Sequence, residues 1–188
     1  MKEDKQKLVF ISILVLVVLV GVVLFLFNNK KQTGTINSVS DIKSMIKTIY
    51  KQVDLPKLET SVINVKNEDE VISYTGLQSN KDVEALVVSI PTMTSQAYLL
   101  SVVKVKDGAN VEKMKQEMLD NIDMDMWICV SADKLYITNS GNVIFLVMTN
   151  EEWATSVYNN FKKYVNNNIG KELTKSNNIE LPDELLAN

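Results

Sequence analysis

The residues best suited to metal chemistry lie in one short segment, 120–129, with the sequence DNIDMDMWIC. Three of its carboxylates, Asp120, Asp123 and Asp125, carry the oxygen ligands that Ca²⁺ prefers. Their spacing is not that of an EF-hand and no glycine stands at the bend, so a solvated helix end is the stronger interpretation. We therefore predict no calcium site here.

The same segment contains the soft ligands Met124, Met126 and Cys129, which would suit Cu(I). Methionine and a lone cysteine more often fill a hydrophobic core, and Ile128 and Val130 beside the cysteine favour its burial. A nucleophilic role for Cys129 would need a neighbouring base or positive charge to lower its pKa. We predict no metal, no cofactor and no catalytic residue.

The absence of histidine and arginine from the whole chain limits the available chemistry. Without histidine there is no Ser-His-Asp or Cys-His machinery and no ordinary zinc site. Paired acids such as Asp123 and Asp133 can hydrolyse glycosidic bonds without histidine, so a cell-envelope hydrolase is the alternative. No spacing singles out such a pair, and we predict that the protein is not an enzyme.

Two further pairs suggest binding rather than catalysis. Trp127 and Trp153 could form a stacking surface, although core or interfacial anchors are the more frequent role for tryptophan. Lys104 and Lys106 lie on one face of a predicted strand and could meet an anion, although a solvated sheet face is the stronger interpretation.

Three amphipathic helices are predicted from apolar spacing. The first runs from Ile42 to Val53 with Ser40 as its N-cap, and the second covers residues 111–122. The third follows Thr149 and Glu152, which have capping-box spacing.

Four strands are predicted between these helices, at residues 83–90, 97–106, 134–138 and 143–148, and Thr60 to Val65 could form a further short strand. The last two flank Asn-Ser-Gly-Asn, a hairpin signal. Because short connections join neighbouring strands, we predict an α+β fold: an antiparallel sheet of about four strands with helices packed on one face.

An apolar run of twenty residues, Leu8 to Phe27, precedes this domain and is long enough to span a bilayer as a helix. No Ala-x-Ala site follows it and no cysteine stands behind it to carry a lipid, which favours an uncleaved signal anchor. The predicted organisation is a tail at 1–7, a transmembrane anchor at 8–27, a tether at 28–38, one domain at 39–166 and a polar C-terminal tail at 167–188.

The charge of the part beyond the anchor argues against nucleic acid as a partner. Five of the 20 basic and two of the 23 acidic residues precede Gln32, so residues 32–188 have a net charge of −6. Nucleic-acid binding requires a basic surface. The bilayer itself, contacted through residues 8–27, and a protein of the cell envelope are the expected partners.

Residues 74–165 contain a series of short motifs: VEALVV leading into Pro-Thr-Met at 91–93, LSVVKVKDG before a charged helix, and Ile-Thr before GNVIFLV and an amphipathic helix. Through these motifs the segment resembles the domain-of-unknown-function family numbered 4358. The family implies a small domain of Gram-positive bacteria behind a lipoprotein signal or membrane anchor, with no established activity.

The expected function is thus a single-pass, membrane-anchored binding or scaffolding module whose C-terminal domain lies outside the cytoplasm. An accessory subunit of a membrane complex is a further alternative. The lysines that flank the anchor nearly balance, so the orientation follows from the short N-terminal tail and the large following domain.

Overall fold

The computed structural model describes residues 34–93 and 95–177, which belong to one compact unit beginning at Gly34. The predicted anchor at 8–27 lies outside the described residues. Within the described ranges, no helix is long and apolar enough to cross a membrane.

The described residues form four helices and six strands, and in two places one strand directly follows another along the chain. The helices are α1 (Val39–Ile49), α2 (Glu68–Thr75), α3 (Val111–Asn121) and α4 (Glu151–Tyr164). The strands are β1 (Leu58–Ile63), β2 (Val83–Pro91), β3 (Tyr98–Val105), β4 (Lys134–Ser140), β5 (Val143–Thr149) and β6 (Leu173–Ser176).

The strands form one antiparallel sheet in the order β1-β2-β3-β5-β4-β6. This confirms the α+β class and the antiparallel sheet, but the sheet has six strands rather than about four. Both additional strands are edge strands. Strand β1 overlaps the possible short strand at 60–65, whereas β6 was not expected. Their mixed or polar sequences, LETSVI and LTKS, lack the strong apolar pattern of the inner strands.

Helices pack on both faces of the sheet, so the prediction of helices on one face is wrong. Helices α2 and α3 bury Val71, Met114 and Met118 against one face, which we call face A. Helices α1 and α4 bury their apolar stripes, including Met45 and Phe161, against the opposite face B. The physical reason lies in β5, where all seven residues are buried because alternate side chains enter two different cores.

The folded domain also continues beyond its predicted end at residue 166. Strand β6 pairs with β4 from Leu173 to Ser176, within the region predicted as a polar tail. The fully buried Lys115 of α3 reinforces this part of the fold, because its ammonium group donates to the carbonyl of Lys171 at 2.7 Å and pairs with Glu112 at 2.7 Å.

Two helix starts differ from their predicted residues. Ser38, not Ser40, caps α1, in a capping box completed by Asp41. The N-cap of α4 is Asn150, whose side chain accepts from the backbone N–H of Trp153 at 2.9 Å. Thr149 is held in β5 instead, and its hydroxyl donates to the carbonyl of Ala97 at 2.7 Å.

Candidate functional site

A recess of about 290 Å³ opens on face B between α4, β4 and β6. Its walls combine two aromatic rings with hydroxyl, amide, ammonium and carboxylate groups. We call it the tyrosine groove, and it is lined by Tyr136, Thr155, Tyr158, Asn159, Lys162, Glu172, Leu173 and Thr174.

Regular secondary structure brings these side chains together. Helical spacing puts residues 155, 158, 159 and 162 on one side of α4. The pairing of β4 with β6 places Thr174 directly opposite Tyr136. Because β6 is an edge strand, the groove opens at the margin of the sheet rather than inside the core.

The rings of Tyr136 and Tyr158 are stacked, with centroids 4.5 Å apart and planes 6° from parallel. The ammonium group of Lys134 lies 5.4 Å from the centroid of Tyr136, and that of Lys162 lies 5.2 Å from the centroid of Tyr158. Both distances are within the range of cation–π attraction. Tyr158 also contacts Phe145 of the face B core, with the ring centroids 6.4 Å apart and the planes tilted by 41°, so the groove wall is fixed by packing.

Glu172 is the electrostatic centre of the groove. Its Oε1 atom accepts from the hydroxyl of Tyr158 and from the ammonium group of Lys162, the latter at 3.1 Å. The Tyr158 hydrogen bond and the lysine hold the pKa of the Glu172 carboxyl below its ordinary value. Burial, reinforced by Glu172, raises the pKa of Tyr158 well above its ordinary value.

These shifts keep the carboxylate charged and the phenol neutral near neutral pH. A general acid or base works best with a pKa near the operating pH, and both groups are displaced away from it. The groove is therefore suited to holding polar groups by hydrogen bonds and charge.

A second recess of about 200 Å³ lies between the loop after α2 and helix α3. Glu117 lines it and accepts from the backbone N–H of Gln78 at 2.6 Å. This contact fastens the loop to the helix, which is a structural role.

The three aspartates of the 120–129 segment make separate contacts. Asp120 accepts from the Gln116 amide at 2.9 Å, Asp123 accepts from the backbone N–H of Asp125, and Asp125 accepts from the Asn177 amide at 2.8 Å. Within residues 34–93 and 95–177, no group of three or more Cys, Asp or Glu side chains is arranged to hold a metal ion.

The soft side chains of the segment also diverge. Met124 is buried and Met126 half-buried against the face A core, whereas Cys129 is exposed. The expected burial of Cys129 is wrong: the residue lies in the loop between α3 and β4, where its backbone has φ +63° and its side chain is exposed to solvent rather than packed in a core. The neighbouring Ile128 is 78 % exposed.

The remaining sequence candidates also lie apart or in other contacts. Asp123 and Asp133 are both exposed, so they do not form a buried pair of carboxylates. Trp127 packs against the face A core and Trp153 against the face B core, which prevents a shared stacking surface.

The two lysines at the end of β3 have partners within the domain. Lys104 pairs with Glu84, and the ammonium group of Lys106 donates to the Lys81 carbonyl at 2.6 Å. Neither lysine is therefore a free anion-binding group.

The sequence did not predict the tyrosine groove. The part of the groove formed by α4 could have been predicted, since helical spacing places Thr155, Asn159 and Lys162 on one polar side next to Tyr158. The other half depends on Glu172 and β6, which no apolar periodicity marks. Because the groove exists only when β6 pairs with β4, it follows from tertiary structure.

Comparisons of the chain with family models, with curated proteins and with solved structures return no match. The fold and groove therefore define the class of protein from geometry: an α+β domain whose six-stranded antiparallel sheet lies between two pairs of helices. The resemblance to family 4358 stays a prediction.

Proposed function

We propose that this protein is a non-catalytic binding module of the bacterial cell envelope, tethered to the membrane by residues 8–27, with its folded domain outside the cytoplasm. The observation that carries the binding role is the tyrosine groove, where ring faces and paired charges meet in a fixed, open recess. The partner is a protein that inserts one or two polar side chains into the groove.

The size and openness of the groove support a protein partner. At about 290 Å³ it lies just below the range of roughly 300–1,000 Å³ that small-molecule sites occupy. Asn159 is exposed at its rim, where its amide can donate to and accept from a visiting group. Tyrosine is also enriched in protein interfaces, because its ring packs while its hydroxyl stays hydrogen-bonded.

The apolar run at residues 8–27 supports the membrane tether. If the partner is also bound to the membrane, the tether raises the effective concentration of the partner at the groove. A groove that binds weakly in solution can then suffice. Such a module would recruit or position its partner without changing it chemically.

The sidedness of the domain can be tested with the native cysteine. Cys129 is the only cysteine of the chain and is exposed. We expect a membrane-impermeant maleimide to label it in intact cells, with the Cys129→Ser variant as the unlabelled control. Labelling that requires cell lysis would refute an extracytoplasmic domain.

The groove is tested by a photo-crosslinking amino acid at Asn159 in the full chain in cells. A matched control carries the same group at Glu152, which is exposed near the start of α4 and outside the groove lining. We expect a discrete adduct only from position 159, and its loss on adding Tyr136→Ala. Equal adducts from both positions, or none from 159, would count against a binding role.

A further inference from the structure

We propose that β1 is a self-association edge, through which two copies of this chain pair their sheets antiparallel about a two-fold axis at Thr60. This inference concerns the edge opposite the tyrosine groove and does not depend on the function proposed for that groove. It rests on the unpaired backbone groups of β1, on the pattern of its side chains and on its exposure.

The register of β1 with β2 determines which backbone groups of β1 point toward β2 and which point toward the open edge. The backbone N–H of Thr92 donates to the carbonyl of Lys57 at 3.0 Å, so this pair is hydrogen-bonded. Antiparallel pairs alternate, and the register Leu58↔Pro91 continues without a shift. The backbone N–H and C=O groups of Leu58, Thr60 and Val62 therefore point away from β2, toward the open edge of the sheet.

These outward groups have no hydrogen-bond partner within the part of the chain that the structure describes. The two sheet edges differ in how they are protected. Strand β6 has only four residues, one of them a lysine, and short, charged edges resist pairing. Strand β1 has six residues with Glu59 as its single charge, which leaves a longer edge open to another strand.

A second copy fits this edge because the strand complements itself. An antiparallel pair centred on Thr60 places Leu58 opposite Val62 of the other copy, and Thr60 opposite its own equivalent. All three outward residues then form hydrogen-bonded pairs, giving six backbone hydrogen bonds across the axis. Apolar pairs and Thr–Thr pairs are both favourable cross-strand neighbours.

On the opposite face of the paired strands, the same register avoids charge repulsion. Glu59 lies opposite Ser61 of the second copy, so the two equivalent carboxylates are diagonal rather than facing. The register also gives a role to Val62, which is 46 % exposed in the single chain. Contact with Leu58 of the second copy would cover it.

Cysteine crosslinking tests both the edge and its register. The experiment uses the full chain with Cys129→Ser, purified in mild detergent and oxidised. Thr60→Cys should give a disulfide dimer, because the paired Cα atoms would lie about 5.5 Å apart, within disulfide reach. Thr60 is a suitable site since its N–H makes no bond to β2.

The register is tested by two further variants. A mixture of Leu58→Cys and Val62→Cys chains should crosslink, whereas Leu58→Cys alone should give ~10-fold less dimer, since its equivalents would be roughly 14 Å apart. Adding Val62→Lys to Thr60→Cys should reduce the dimer by ~10-fold with an unchanged circular dichroism spectrum.

Three results would overturn the proposal. The first is a Thr60→Cys chain that stays monomeric, and the second is Leu58→Cys alone crosslinking as well as Thr60→Cys. The third is a Thr60→Cys adduct formed in cells with a different protein and none between copies, which would assign the edge to another partner.

Discussion

Burial of β5 on both faces gives the sharpest test of the fold. Phe145 and Leu146 are neighbours in β5, are both fully buried, and point into the face B and face A cores respectively. We predict that Phe145→Ala and Leu146→Ala each strongly lower the free energy of unfolding. If helices covered only one face, one of the two substitutions would be nearly neutral.

The magnitudes follow from complete burial. Truncating a buried phenylalanine to alanine costs about 3–5 kcal/mol, and truncating a buried leucine costs about 2–5 kcal/mol. The cost of Phe145→Ala should fall near the upper end, because its ring also stacks on Phe161 at a centroid distance of 4.1 Å. Small domains have about 5–15 kcal/mol in total, so each substitution should remove a large and easily measured part of the free energy of unfolding.

Urea unfolding followed by tryptophan fluorescence measures both effects. Trp127 reports on the face A core and Trp153 on the face B core, so single-tryptophan backgrounds observe each core separately. The control is Val62→Ala, at a half-exposed edge position, which should change stability by no more than ~0.5 kcal/mol in monomeric protein. A cost below about 1 kcal/mol for either core variant would refute burial on both faces.

Three further predictions concern local features. Gly76→Ala should destabilise the domain clearly more than Gly108→Ala in thermal unfolding. Both glycines have positive φ, which alone should cost about 1 kcal/mol in each variant. A Cβ at Gly76 would in addition lie 2.7 Å from the backbone nitrogen of Ile122, whereas a Cβ at Gly108 would have no atom within 4 Å. Equal costs would contradict this account. The cost of Glu172→Gln in urea unfolding should be ~0.2–1 kcal/mol at pH 7 and should shrink progressively as the pH falls below the unfolded pKa of 4.5. Folding lowers the pKa of this carboxyl, so its contribution to the free energy of unfolding is present above the unfolded pKa of 4.5 and is lost as the pH falls through the folded pKa. A cost that does not change with pH would show that the charge of Glu172 does not stabilise the domain. Asn150→Ala should cost ~1 kcal/mol as the loss of an N-cap, whereas Asn159→Ala, exposed on the same helix, should be nearly neutral; the reverse order in chemical denaturation would refute the assigned cap.

The inner strands and the main helices could be predicted because their patterns are local. Strand β2 was expected at 83–90 and found at Val83–Pro91, and the hairpin at Gly141 formed between the expected strands. The run VIFLVM in β5 also carried the signal for burial on both faces, since a half-exposed strand alternates and this one does not. The two-sided packing was therefore readable from the sequence.

The helix caps show where local patterns compete with tertiary structure. Thr149 and Glu152 have capping-box spacing, but the register of β5 with β3 pairs Thr149 with Tyr98 and keeps it in the strand. The cap then falls to Asn150. At α1 the spacing of Ser38 and Asp41 did contain the correct signal, which the nearer Ser40 obscured.

The candidate site was out of reach for a different reason. The tyrosine groove joins Tyr136 and Tyr158 to Glu172, and short-range periodicity gives no information about which strand pairs with β4. The sequence indicated Asp123 and Cys129 as candidates for chemistry. Both side chains are exposed, because residue type alone does not determine where a side chain points in the fold.

The strand order has a consequence for how the chain folds. Strand β3 needs β5 as its second neighbour, but α3 and β4 lie between them in the chain, from Val111 to Ser140. A chain that emerges N-terminus first presents the apolar edge of β3 before its partner exists. Closing this long loop is entropically costly and makes the pairing slow. Synthesis or export that pauses before Val143 would thus leave an aggregation-prone intermediate, and the β4–β5 hairpin is the element whose arrival ends that exposure.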